Sequence, residues 1–365
     1  MLEKGKISHK QLQWLIISVI LSTLTLYFPS IIIKYAKQNS WLSAIIATFL
    51  TLISGYIITK LDVRFPNKTI VGYSPLIAGK ILGNIISLIY IIFFISVNAV
   101  IIRELTAILN GIFLSETPIL IISISIAIVT ASAVRNGIEV ISRVNELIFP
   151  SILLIGIILF FFITPELDLS NFKPILADGL KPILKGSYLL WLFLSEIIIL
   201  TIIIPTVKQP QKSFKSVSTS IIVLGIMFMA TIFEIIGLFG IYEADNFVLP
   251  LLSVVRYIEA FEFIARIDPF IVIIWLGAGF MKVIVFYYCS SISTAEFFNL
   301  KSYKPVILPL GVIQVALSII LFGNIKELLK FVFEELHLIF LSIEVVIPLI
   351  LLLIAIIRGV SGKTA

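Results

Sequence analysis

The feature that most restricts what this chain can become is its succession of apolar runs, each about 20 residues long, which recur from Leu12 to Ile357 with short polar connections between them. A helix rises about 1.5 Å per residue, so a run of that length matches the hydrocarbon thickness of a bilayer. Of the 365 residues 59% are hydrophobic and 13% charged, against roughly 25% charged in a soluble domain. So little polarity cannot cover a water-facing surface, and no stretch between the runs is long enough to fold separately in water. The expectation is a single polytopic, all-α membrane domain over residues 1–365. Its spans fall near 11–36, 41–59, 80–109, 118–134, 144–164, 185–206, 217–242, 269–298, 305–323 and 338–358. The basic start before Trp14 to Phe28 is not followed by a small-x-small cleavage pattern, so this segment reads as the first span and not as a signal peptide.

Charge gives orientation. Lys4, Lys6, Lys10, Lys60, Arg64, Lys68, Lys80, Arg135, Arg143, Lys208, Lys212, Lys215, Lys301, Lys304, Arg358 and Lys363 fall on one side of a ten-span topology. The positive-inside bias makes that side, with both termini, cytoplasmic. The same bias accounts for the net charge of +6, so nucleic acid is not an expected partner. One cysteine, Cys289, and two histidines, His9 and His337, leave no disulfide framework and no metal-ligand spacing. Neither a cofactor nor a metal is expected. No nucleophile–base pair or phosphate loop points to an enzyme.

Thr117-Pro118 and Asp268-Pro269 read as helix starts, with a capping side chain before a proline. Residues Leu251 to Ile267 carry Arg256, Glu259, Glu262 and Arg266 opposite an apolar stripe, the pattern of an amphipathic surface helix. Lys326 to Glu335 repeats it in shorter form. Five-plus-five spans allow two halves related by inverted topology, with a ligand between half-helices at mid-membrane.

Two spans look able to break. The first places Ser22, Thr23 and Thr25 before Tyr27 and Pro29, a place where hydroxyls can satisfy freed backbone groups; a continuous helix with Ser and Thr bonded back to their own carbonyls is the alternative. The sixth places Ser195-Glu196 at mid-span ahead of Pro205. An ionised carboxylate facing lipid at that depth costs at least about 2.5 kcal/mol, so Glu196 meets a cavity, a partner or a proton. Glu234 in the seventh span and Lys282 in the eighth are further intramembrane charges, and either Glu196 or Glu234 could pair with Lys282. Tyr90 and Asn98 in the third span, with Tyr287 and Tyr288 in the eighth, complete the candidate ligand-binding set. Arg103-Glu104 at the outer end of the third span reads as a surface pair, or else a gate. Gly277 and Gly279 read as packing positions.

The run Ile7-Ser-x-x-Gln11, the Lys37-Gln-Asn-Ser-Trp41 turn, Arg64-Phe-Pro66 before Gly79-Lys-x-x-Gly83, Thr117-Pro118, Arg135-Asn-Gly-Ile-Glu139, Ile267-Asp268, Trp275 and Phe280-x-Lys282 with its Tyr pair resemble the spore germination receptor B-subunit family, a spore permease family of the APC superfamily. The resemblance implies a LeuT-like five-plus-five inverted repeat with broken first and sixth helices. It implies a place in the spore inner membrane or cell membrane, and assembly with a receptor A-subunit and a lipoprotein C-subunit. It also implies recognition of a small nutrient such as an amino acid, with Glu196 and Lys282 as intramembrane charges. Leu21-Ser22 and Ser195 stand where the family commonly has glycine, so hydroxyl residues must make the breaks here. A germinant sensor, a proton-coupled amino-acid transporter and a water or ion conduit all need the same polar cavity between helices.

Overall fold

The spans that looked breakable are divided. In the computed structural model, which describes residues 2–24, 27–247, 249–259, 268–321, 327, 331 and 335–362 and leaves aside the side chains of 112 and 258–275, the first span is α1 (His9–Leu24) followed by α2 (Phe28–Ala36). Ser22 Oγ donates back to Val19 O at 2.9 Å, and Pro29 sits in the first turn of α2, where its missing N–H costs nothing. Thr25 lies outside the described residues.

After α3 (Ser40–Arg64), residues expected to be a plain loop form α4 (Ile70–Ala78), a helix too short to cross. It turns at Gly79, whose φ of +84° only glycine adopts easily, into α5 (Lys80–Ile112). Gly83 on α5 lies directly against the Pro75 backbone, leaving no room for a Cβ. The Gly79-x-x-x-Gly83 pair is thus what lets α4 fold back onto α5.

Next come α6 (Ile119–Arg135) and α7 (Ile138–Ile163). Pro118 is itself the residue preceding α6, with extended ψ of 134°, so Thr117 does not cap the helix as its sequence suggests; its carbonyl accepts from Asn110 instead. The sixth span starts as α8 (Leu180–Leu194), tightens to a 3₁₀ stretch at Ser195–Ile199, resumes as α9 (Leu200–Ile203) and ends in a 3₁₀ turn at Ile204–Thr206. Ser195, Thr201 and Thr206 donate to the carbonyls of Trp191, Ile198 and Ile203 at 2.8, 2.7 and 2.7 Å. Hydroxyls therefore satisfy backbone acceptors along the irregular segment, the role their position predicts.

The chain continues with α10 (Ser213–Ala244), α11 (Pro250–Glu259), α12 (Asp268–Phe297) and α13 (Lys304–Ile320). The expected surface helix is present as far as Glu259; residues 260–267, and most of the 326–335 segment, lie outside the described residues. The last span is α14 (His337–Leu341), a π-helical turn at Ser342–Val346 and α15 (Ile347–Ile357).

Two packed sets result. In one, α3 lies against α8 and α10, and α10 against α1; in the other, α5 and α6 lie against α12 and α13. Helix α1 also packs on α12, joining the sets at the level of the breaks. Large apolar side chains remain exposed on outward faces, among them Ile128 of α6, Leu147 and Phe161 of α7, Val312 of α13 and Ile357 of α15. Such faces are stable against lipid and not against water.

Candidate functional site

At the breaks three elements meet on one charge. Lys282, about midway along α12 and only 1% exposed, places Nζ 2.9 Å from Glu196 Oε1 and 2.8 Å from Oε2. It donates to Thr23 Oγ1, near the end of α1, at 2.8 Å. It also lies 4.6 Å from the ring centroid of Phe193. The ammonium is thus satisfied by a carboxylate, a hydroxyl and an aromatic face, which is what a cation needs to persist away from water. The 3₁₀ stretch aims Glu196 at α12, and the choice between Glu196 and Glu234 falls to Glu196.

This group borders a cavity of about 60 Å³. Thr23, Tyr27, Glu104, Glu196, Lys282 and Glu344 supply its polar groups; Phe28, Phe193, Phe340 and Ile101 supply apolar wall. The rings of Phe28 and Phe193 pack with centroids 4.1 Å apart. Among the cavity carboxyls, Glu344 did not stand out in the sequence and Glu104 was placed in a surface pair. The structure corrects that placement: Arg103 is buried, and Glu104 faces the cavity. Helix α5, with 33 residues, is longer than a bilayer needs and carries its C-terminal part along the cavity wall. Glu344 could have been found by the same cost argument as Glu196, being a lone carboxylate inside the apolar run 338–358.

The other candidates are spread more widely. Ser22 and Glu234 line a separate, mainly apolar pocket of about 470 Å³ bordered by α1, α7 and α10. Ser195 is committed to its own helix. Tyr90 donates to Ile343 O at 2.7 Å, inside the π-helical turn. Asn98 donates to Gln314 Oε1 at 2.9 Å, and Gln314 to Ser290 Oγ at 2.9 Å, tying α5, α13 and α12 together. Tyr287 donates to Ile307 O and packs on Gly311. Tyr288 borders a vestibule of about 540 Å³ with Glu3, Lys68 and Glu296 at the opposite end of the broken helices. There the N-terminal segment clasps the sixth span: Ile7 N–H donates to Thr206 O at 3.0 Å, Lys208 N–H to Ile7 O at 3.1 Å, and Lys6 Nζ to Pro205 O at 3.0 Å. Beside it the Tyr303 hydroxyl donates to Glu3 at 3.2 Å, and burial together with that carboxylate pushes the phenol up from its ordinary range.

The sequence model of the spore permease family, described as spore germination protein, matches residues 6–328. The chain belongs to that family. Among relatives, Spore germination protein KB of Bacillus subtilis (strain 168) is 26% identical over 360 residues, covering 97% of this chain and 96% of that protein. Spore germination protein YndE of the same organism is 27% identical over 299 residues, 81% of this chain and 82% of that protein. Among solved structures, MhsT in complex with L-phenylalanine superposes with a TM-score of 0.67 at 14% identity, covering 99% of this chain and 91% of that chain. Mhp1, a nucleobase-cation-symport-1 family transporter, does so with a TM-score of 0.55 at 12% identity, covering 96% and 78%. The fold is therefore the LeuT-like one of transporters, with the first and sixth helices broken, and the family is one of permease-like germination proteins rather than enzymes.

Proposed function

We propose that this chain is the nutrient-sensing membrane subunit of a spore germination receptor. A small ligand such as an amino acid enters at mid-membrane between the two packed sets, at the cavity beside Thr23, Glu196 and Lys282. The observation that carries the reading is the Lys282–Glu196–Thr23 cluster, which is buried, ion-paired and placed at both helix breaks. A cluster whose members come from α1, the sixth span and α12 registers any relative movement of those elements, so a ligand that favours one arrangement shifts the whole bundle. Assembly with an A-subunit and a lipoprotein C-subunit, residence in the spore inner membrane or cell membrane, and cytoplasmic termini complete the proposal. They are supported by the family and by the basic loops on the terminal side.

Ligand-dependent thermal stabilisation of the detergent-purified chain tests the reading, with the amino acids and simple sugars as probes. Stabilisation by one probe class that Glu196→Gln weakens at least tenfold is the expected result. Stabilisation that is unchanged in this variant would place the ligand elsewhere. Uptake of the same probe into vesicles containing the chain alone would replace sensing by proton-coupled transport.

A further inference from the structure

Lys282 accounts for only one of the cavity's carboxyls. Glu104 and Glu344 border the same small space, and Glu344 lies within electrostatic reach of both Glu196 and Lys282. Glu344 is 3% exposed, and its Oε2 has no hydrogen-bond partner although it is enclosed. It is presented by the π-helical turn Ser342–Val346, an irregularity that costs hydrogen-bond geometry and recurs at functional sites. Tyr90 of α5 holds the carbonyl of the preceding residue, Ile343, so the turn is fixed from outside. A carboxyl buried in this way either keeps a proton or meets a cation. Among the described residues no group of metal-binding side chains is assembled, and the wall of the space includes the rings of Phe28, Phe193 and Phe340 among aliphatic side chains. Carboxyls combined with aromatic faces select an organic ammonium over a bare ion.

We infer that Glu344, with Glu104, is the receptor for an ammonium group, so that the ligand of this cavity is an amine-bearing small molecule. The inference rests on the sensing reading and narrows it: an amino acid or a simple amine qualifies, and a sugar or a hydroxy acid does not. Lys282 is occupied by Glu196 and Thr23, so it leaves the guest's positive end to the other two carboxyls. At about 60 Å³ the space admits a few waters, each needing at least about 10–15 Å³. An ammonium end fits; a bulkier ligand requires the phenylalanine walls to part.

The test compares L-amino acids with the matching 2-hydroxy acids, the matching primary amines and simple sugars, as stabilisers of the purified chain, in wild type, Glu344→Gln, Glu344→Asp, Glu104→Gln and Glu196→Gln. Size-exclusion profiles establish that each variant is folded. Stabilisation by amino acids or amines, absent with hydroxy acids and weakened at least tenfold in Glu344→Gln, is expected; a partial return in Glu344→Asp would mark the charge as the reason. If Glu344→Gln does not fold, Glu104→Gln carries the same expectation. Stabilisation by hydroxy acids or sugars that depends on Glu196 but not on Glu344 overturns the ammonium assignment and leaves the sensing reading standing. Stabilisation by none of the probes overturns both.

Discussion

Lys282 shows why a charged side chain inside a bilayer rarely stands alone. Every donor direction of its ammonium finds a carboxylate, a hydroxyl or a ring, and removing one member strands another. Lys282→Met leaves Glu196 without its cation, at an expected cost of about 3–5 kcal/mol. Glu196→Gln in the same background should return part of that loss, with a coupling of about 0.5–3 kcal/mol. Chemical denaturation in mild detergent measures both, and strictly additive effects would contradict the pairing. At this scale cost was the useful signal: Glu196, Glu234 and Lys282 were legible because charge in an apolar run demands an explanation, and Glu344 carries the same signal without having been singled out. It was much less informative for neutral polar groups. Tyr90, Asn98 and Tyr287 look like cavity residues in a list, yet each is spent on joining helices. Which face of a span they occupy depends on its neighbours, and a uniformly apolar run carries no periodicity from which to read it.

Among elements, those that depart from regular helix do the positioning. The 3₁₀ stretch at Ser195–Ile199 aims Glu196, the π-helical turn at Ser342–Val346 presents Glu344, and the fold-back of α4 braces α5, on which Glu104 rides. The helix breaks were legible because hydroxyls and prolines mark places where backbone groups can be satisfied locally. The π-helical turn was not, since Ser342 to Val346 contains nothing that separates it from an ordinary helix. Helix α4 was missed for the opposite reason: its apolar run is too short to register as a span, and its packing depends on a glycine in the following helix. Gly83→Ala tests that packing. A Cβ there collides with backbone and not with a yielding side chain, so α4 must move, and a loss of about 1–3 kcal/mol is expected. Thermal unfolding followed by fluorescence should register it; a midpoint equal to wild type would mean that α4 is not held against α5.

For the whole molecule, hydropathy alone gave an all-helical membrane chain, because backbone satisfaction in lipid leaves helices as nearly the only choice for such runs; the LeuT-like arrangement came from the family resemblance. The orientation assigned from the basic loops has a direct check in a Cys289→Ala background, which removes the buried native thiol. A cysteine at exposed Lys301 should react with an impermeant maleimide only in inverted vesicles, and one at exposed Lys181 only in right-side-out vesicles; the reverse pattern would turn the topology over. On the proposed sensing role, the small central cavity also has a consequence for how the chain is tuned. If the arrangement with room for a whole ligand is held by only about 1% of molecules, apparent affinity falls about 100-fold below that of the open form. The concentration at which such a sensor answers is then a set-point fixed by the balance between its closed and open forms. Phe28, Phe193 and Phe340 can move that set-point by the space they leave, beside any part their rings take in holding the guest's ammonium.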